Sequence, residues 1–303
     1  MQNLEVIKMD IQKHLESTIT SFSLKASGLC NDAYLLKTKN RQTLIVKQGK
    51  KIQEFKPQNS LIIEARVVQK VSEVIESIPV PQVVFVGEEP DMYGYQYLEG
   101  RILKDVWPEL SEVEKVHLCK KLGKFHAEIG QKVNLEQAQN LGIFIDKTSD
   151  VHPETLEEYK SIIKNPQIPE LYRKLVIKAK EVLDTTADDT VFQFIHNDTH
   201  HENILIDNKE ISGIIDFGNA EYGEIAKEFS RYIRDIPEYF QYIVASYEER
   251  SGNKVSQERL VSFACVSGFI DIVEGYLKGG VAEEKADKTV QKYKELLSRF
   301  ERL

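Results

Sequence analysis

One stretch constrains this 303-residue chain more than any other, and it runs from Phe194 to Gly218. It reads F-I-H-N-D-T-H-H-E-N-I-L-I-D, then a short polar gap, then I-S-G-I-I-D-F-G. Ile204–Ile206 and Ile211–Ile215 are short β-type runs around Asp207–Glu210, whose Asp-Asn pair signals a turn. Polar residues crowd before the first run and after the second. Folding this segment as a hairpin brings Asp198, Asn203 and Asp216 to one end of the same structure.

His196, Asp198 and Asn203 have the spacing H-x-D-x-x-x-x-N, and Asp216-Phe217-Gly218 follows on the next strand. In this the chain resembles the protein-kinase-like phosphotransferases. Among them it is most similar to the aminoglycoside phosphotransferases, antibiotic kinases that include the 2''-phosphotransferases. The resemblance implies an α+β, two-lobed fold. An N-terminal antiparallel sheet with one main helix (1–98) would bind nucleotide, and a mostly helical lobe (99–303) would carry catalysis and the acceptor. Asp198 would be the catalytic base. Asn203 and Asp216 supply hard oxygen ligands suited to Mg²⁺, with ATP or GTP as donor. Gly218 is expected to let the chain turn after the metal ligand.

The earlier chain adds positions in order. Ser27, Gly28, Asn31 and Tyr34 resemble the loop that lays backbone N–H groups over phosphates in antibiotic kinases. Lys47, in the strand Thr43–Lys47, resembles the phosphate-binding lysine of the third kinase strand. On a helix over Ser60–Ser77, Leu61, Ala65, Val68, Val71 and Ile75 share one face, and Glu64 falls within it. A carboxylate there requires a partner, and Lys47 is the natural one. The strand Met92–Leu98 leads to Glu99-Gly100, which the resemblance makes the hinge. The nucleotide base would bond backbone near Gln96 and Leu98, with Tyr95 as gatekeeper and Ile215 completing the pocket. A bulky gatekeeper limits the room behind the base.

Ser111-x-x-Glu114 is a capping-box signature for a helix to about Ile129, with His126 as a core histidine. Gln131–Val151 reads as irregular apart from Leu141–Ile145, and helices are expected over Glu154–Ile163 and Pro169–Leu183. After Gly218 the family usually carries D-P-x-x-D-[FL]. Here Glu224, Ile225 and Glu228 stand at those positions, so the carboxylates are one methylene longer and the proline is gone. Helical segments then run to the C-terminus, with breaks near Ser251-Gly252-Asn253 and Gly279-Gly280.

The net charge of −8 argues against nucleic acid as a partner. Residues 1–98 hold 12 Lys+Arg and 11 Asp+Glu, and the rest hold 28 and 37. The acidity therefore lies where an acceptor would bind, which suits a cationic small molecule. Asp235, Glu238, Asp271 and Glu274 are the candidate acceptor-binding acids, with Arg231 and Arg234 close to the first two. Three scattered cysteines, no leader pattern and no long apolar segment point to a monomeric cytoplasmic enzyme with no membrane partner. Asn197, where protein kinases carry arginine, and the absence of an A-P-E motif favour a small-molecule kinase. Two rival readings are a zinc site of His196, His200 and His201, and a non-catalytic nucleotide-binding module. The presence of Lys47, Asp198, Asn203 and Asp216 together speaks against the module.

Overall fold

A computed structural model describes residues 4–28, 30–50, 59–87, 91–146, 164, 168–186, 190–267 and 281–298. The first lobe is built by strand alternation. Five strands, β1 (Ile19–Ser27), β2 (Asn31–Thr38), β3 (Thr43–Gly49), β4 (Val83–Gly87) and β5 (Met92–Gln96), pair antiparallel in the order β1-β2-β3-β5-β4. Successive side chains point to opposite faces. Leu44 and Val46 of β3 therefore join Ile7 and Ile11 of helix α1 (Leu4–Gln12) on one face. Ile45 joins Leu61 and Ala65 of helix α2 (Leu61–Val74) on the other. Lys47 shares the parity of Ile45, so its side chain is directed at α2. Ser60 caps α2, its side chain accepting from the Ile63 N–H, a stop that fixes where Glu64 emerges in the first turn.

Gly100 makes the connection to the second lobe. Its φ is +142°, and a Cβ there would meet Ser212 Oγ at 2.5 Å and Ile206 O at 3.0 Å, so both backbone and space require glycine. Strand β6 (Arg101–Ile102) then adds to the hairpin of β9 (Ile204–Asp207) and β10 (Glu210–Ile214). The hairpin turns on Asn208 (φ +48°) and Lys209 (φ +64°), the pair of left-handed residues that a twist-matched two-residue loop demands. A second small sheet sets β11 (Glu221–Glu224) between β7 (Phe144–Ile145) and β8 (Phe192–Ile195).

The helices α3 (Leu103–Val106), α4 (Glu112–Lys132), α5 (Leu135–Leu141), α6 (Glu170–Thr185), α7 (Ile225–Asp235), α8 (Phe240–Ser251), α9 (Gln257–Ser267) and α10 (Val281–Ser298) make up most of the second lobe. The axis of its core is α4, whose capping box between Ser111 and Glu114 forms as the spacing predicts. Packing of α4 on α8 is close enough that a Cβ on Gly123 would meet the Ile243 carbonyl at 2.3 Å. Among the described residues no helix is long and apolar enough to cross a membrane.

Two sequence expectations change here. Residues 131–151 are not irregular throughout: α5 occupies Leu135–Leu141, with a capping box between Asn134 and Gln137 and Gly142 left-handed at its end. The segment expected as helix over 154–163 lies outside the described residues, as does the Gly279-Gly280 break.

Candidate active site

The loop 196–203 joins β8 to β9, and buried side chains beneath it hold it in place. His196 is fully buried; its Nε2 donates to the Ile215 carbonyl at 3.1 Å, while its Nδ1 accepts from the Asp198 N–H at 3.2 Å. Its ring lies 4.3 Å from that of Phe217. One imidazole thus ties the loop to the Asp-Phe-Gly segment. Asn197 is left-handed at φ +59°, a conformation that persists only when its surroundings enforce it. They do: its N–H donates to Glu228 Oε2 at 2.5 Å and its carbonyl accepts from Arg231 at 3.3 Å. Thr199 donates its hydroxyl to the other oxygen of Glu228. Burial works to raise the Glu228 carboxyl, but His126, His196 and these hydrogen bonds outweigh it and hold it below the usual range.

Above this floor stands Asp198, its side chain 21% exposed. Its Oδ2 receives the amides of Asn203 at 3.4 Å and Asn219 at 3.3 Å, and His200 Nε2 lies 3.9 Å away. The Asn203 amide also donates to the Asp198 carbonyl at 2.9 Å. Because that bond engages nitrogen, the amide oxygen of Asn203 is turned to the other side.

At the Asp-Phe-Gly segment, Lys47 Nζ lies 2.7 and 3.0 Å from the two oxygens of Glu64 and 2.9 Å from Asp216 Oδ1. Tyr93, paired directly with Lys47 across the sheet, donates its hydroxyl to Glu64 at 2.9 Å. Burial alone would lower the Lys47 ammonium, but Glu64 and Asp216 outweigh it and push it well up. Enclosure works to raise Asp216 too, yet Lys47 and His196 hold it below its ordinary value. Asp216 itself takes the left-handed conformation, at φ +68°. That corrects the expectation for Gly218, which is not among the left-handed glycines. A Cβ on Gly218 would rest in ordinary contact with Asp216 and Glu64, at 3.4 and 3.5 Å.

At the hinge, Tyr95 is buried and its ring lies 5.5 Å from that of Tyr93. The Gln96 N–H is taken by the Gln82 carbonyl at 2.9 Å, so it has no N–H to offer a base. Leu98 packs over Gly213 of β10, and the Ile215 N–H bonds the Asn203 carbonyl at 3.0 Å. Leu98 thus packs the segment after β5 against β10, and Ile215 ties the Asp-Phe-Gly segment to Asn203. At the other end of the sheet, Ser27 and Gly28 close the β1–β2 turn, with the Gly28 N–H on the Asn31 carbonyl at 2.9 Å. Lys50 Nζ reaches Ser27 Oγ and the Gly28 carbonyl, both at 2.6 Å.

The four acids expected at the acceptor site separate. Asp235 has a side chain only 4% exposed; Arg234 donates to one oxygen at 3.0 Å, and the other takes the His201 backbone N–H at 3.0 Å. It holds the loop 196–203 through the His201 N–H. Glu238 is exposed. Asp271 and Glu274 lie outside the described residues. The histidines do not converge on a metal: His196 faces Ile215, His201 faces Asp235 at 3.2 Å, and the His200 and His201 rings are 6.1 Å apart. Sequence reasoning missed Tyr93, Asn219 and Lys50. It noted Glu228 only as a departure from the family pattern. A lysine three residues past Lys47, and a tyrosine two before the gatekeeper on the same strand face, were the available signals.

The sequence profile of the phosphotransferase enzyme family matches residues 22–253. No curated protein matches the chain significantly by sequence. Among solved structures, the GDP complex of aminoglycoside 2'-phosphotransferase-IIIa has a TM-score of 0.72 at 17% identity, covering 99% of each chain. A gentamicin complex of APH(2")-IIa gives 0.66 at 20% identity over 98% of this chain and 99% of that one. Macrolide 2'-phosphotransferase MphH from Brachybacterium faecium gives 0.66 at 13% over 96% and 98%. These likenesses establish the kinase-like fold of the aminoglycoside phosphotransferases. With a family profile spanning most of its length and that fold around the cleft, the chain belongs to the phosphotransferase enzyme family.

Proposed function

We propose that this phosphotransferase transfers the γ-phosphate of ATP or GTP to a hydroxyl of a cationic small molecule, an aminoglycoside in the first place. The observation that carries the reading is a pair of differently built carboxylates on the two segments that Asn203 joins, its side-chain amide donating to the Asp198 carbonyl and its backbone carbonyl accepting from the Ile215 N–H. Asp216 is ion-paired to Lys47, whereas Asp198 Oδ2 takes the amides of Asn203 and Asn219, with His200 Nε2 3.9 Å away.

Asp198 Oδ2 is the tethered oxygen, which leaves Oδ1 to face the acceptor hydroxyl. It orients that hydroxyl and takes its proton as the oxygen attacks the γ-phosphorus and the bond to the leaving diphosphate breaks. Lys47, steadied by Glu64 and Tyr93, takes up phosphate oxygens. Asn203 and Asp216 fit a magnesium ion: one offers an amide oxygen turned away from Asp198, the other a carboxylate with a half-exposed side chain beside Lys47. Bound there, the ion neutralises charge on the nucleotide phosphates. Leu98, Ile215 and the hinge backbone around Gln96 form the base pocket. Tyr95 narrows the space behind the base, and Ser27 and Gly28 close over the phosphates.

The acceptor assignment is supported by the acidity of residues 99–303 and by gentamicin and kanamycin complexes among proteins of similar fold. Glu238, Asp271 and Glu274 are the acids proposed to meet the acceptor's ammonium groups, while Asp235 fixes the loop that presents the base. The test is a coupled assay of nucleoside diphosphate release with ATP and GTP against aminoglycosides, macrolides and choline-like alcohols. Aminoglycosides should be turned over fastest, with a KM that rises with salt as exposed charge attraction is screened. A neutral macrolide turned over far faster than any aminoglycoside would overturn the acceptor assignment and leave the kinase reading standing.

A further inference from the structure

We infer that Lys50 is a second phosphate-binding lysine, held at the β1–β2 turn until nucleotide arrives and then transferred to its polyphosphate. The inference rests on the kinase reading above. It starts from the charge balance around Lys47. That single ammonium already faces two carboxylates, Glu64 and Asp216, so it brings little surplus positive charge of its own to a polyanion. Beside the magnesium ion proposed at Asn203 and Asp216, a second lysine close by would add the side-chain charge that Lys47 has already committed.

Lys50 is placed to supply it. Its backbone N–H bonds the Cys30 carbonyl at 2.8 Å, which fixes its stem at the mouth of the β1–β2 turn. Its Nζ contacts Ser27 Oγ and the Gly28 carbonyl at 2.6 Å each, and Asp32 Oδ1 at 3.1 Å. Ser27 and Gly28 are the residues proposed to cover the phosphates. The turn runs directly into β2, whose Asp32 and Ala33 pair with Gln48 and Lys47 of β3, so Lys47 and Lys50 stand along one strand pair.

The hold on Lys50 is also of a kind that can be exchanged. Two of its three partners are neutral oxygens, and the third, Asp32, is about a quarter exposed and shares its Oδ1 with the Ser27 hydroxyl at 2.7 Å. Phosphate oxygens are stronger acceptors for an ammonium than a hydroxyl or a carbonyl. Lysine's flexible stem and point charge allow the move without rebuilding the turn. The competing account is a latch, in which Lys50 and Asp32 together only brace the hairpin.

The two accounts part on Asp32. Calorimetry with Mg²⁺ and the β,γ-imido analogues of ATP and GTP, and with adenosine and guanosine, is run on wild type, Lys50→Ala and Asp32→Asn, each checked for an unchanged melting temperature. Lys50→Ala should weaken triphosphate binding about tenfold, the scale of one lost charge-assisted hydrogen bond. It should leave nucleoside binding within about twofold, since the base pocket is untouched. Asp32→Asn should bind triphosphate at least as tightly as wild type, because it removes only the competitor. Lys50→Ala without effect, equal loss for nucleoside and triphosphate, a lowered melting temperature in both variants, or parallel weakening in both would each overturn the inference. A wild-type protein that binds neither triphosphate analogue would instead overturn the kinase reading.

Discussion

Two buried carboxylates, Glu64 beside Lys47 and Glu228 beneath the loop 196–203, show two ways of keeping a charge inside a protein. Glu64 is 1% exposed and answers to a full cation, Lys47, with the Tyr93 hydroxyl beside it. Glu228 is fully buried and answers to a backbone N–H and a threonine hydroxyl, with His126 and His196 nearby. Burial raises Glu64 despite Lys47, whereas Glu228 is held down. The difference follows from what each must position. Glu64 steadies a long side chain proposed to engage phosphate, so its partner is charged. Glu228 fixes a length of main chain, so its partners are a backbone N–H and a hydroxyl. The surroundings of Lys47 are therefore set by charge and the loop 196–203 by backbone geometry.

That contrast is broken most severely at the two carboxylates proposed to face substrate. Asp198→Asn keeps shape and removes the base; turnover should fall by about two to four decades, with Mg-nucleotide affinity unchanged by calorimetry. Asp216→Asn should also lower turnover, but it should weaken nucleotide binding in a way that excess Mg²⁺ partly restores. The reverse pattern, with nucleotide binding lost in Asp198→Asn and kept in Asp216→Asn, would mean the two sides are assigned the wrong way round.

Next in size is the floor of the loop. Glu228→Ala leaves the Asn197 N–H and the Thr199 hydroxyl buried without acceptors, and should cost about 3–5 kcal/mol in urea unfolding. Turnover should fall with it, since Asn197 loses what holds it left-handed. Glu228→Asp restores the charge one methylene short. If the family's shorter residue served equally well here, Glu228→Asp would match wild type; the 2.5 Å contact to Asn197 says that it should recover stability only in part.

How far these features could be read from residues alone depends on whether side chains or main chain make them. The hairpin, the Asp198–Asn203 contact, the capped α4 and the Lys47–Glu64 pair all leave marks in residue type and spacing, and each is present in the structure. Glu64 was legible because a carboxylate on an apolar stripe demands a partner. Glu228 was not, because its partners include a backbone N–H that any residue at 197 would carry. On charge alone Asp235 reads as an acceptor-binding acid; only the adjacency of α7 to the loop shows it under His201. The left-handed turn falls on Asp216 and not on Gly218, since glycine permits that conformation without requiring it. The Asn134-x-x-Gln137 box of α5 was present in the sequence but hidden in a polar stretch with no helical apolar stripe.

The floor of the loop also sets a pH dependence of its own. His126 is fully buried, its Nε2 on the Tyr232 hydroxyl at 2.8 Å, and burial, against the pull of Glu228, lowers it from 6.5 to about 4. Between those values the unfolded chain binds a proton that the folded chain refuses, so stability rises with pH there. The contribution is complete above pH 6.5 and is lost as pH falls toward about 4, a change of at most about 3 kcal/mol. Glu228, lowered in the fold, adds its own loss only below that window, as pH falls through the carboxylate range. Urea midpoints between pH 7 and pH 5 should therefore decline in wild type and flatten in His126→Gln. An equal slope in both proteins would assign the decline to other groups.

The smallest effects lie within the charged side, where the partners compensate for one another. Lys47→Ala removes the phosphate contact and leaves Glu64 and Asp216 facing each other. Glu64→Ala leaves Lys47 to swing onto Asp216 alone, 2.9 Å away already. If Glu64 acts only through Lys47, the double variant should lose little more than Lys47→Ala, a coupling of about 2 kcal/mol in kcat/KM for nucleotide. Full additivity would show that the two residues act separately. Tyr93→Phe sharpens the same point. It removes one hydroxyl from Glu64 and leaves both oxygens on Lys47, so it should cost about 1 kcal/mol or less. That cost should vanish in the Glu64→Ala background, because the hydroxyl then has no carboxylate to hold. A Tyr93→Phe loss that persists there would mean that Tyr93 reaches the nucleotide by another route, through its packing on Tyr95.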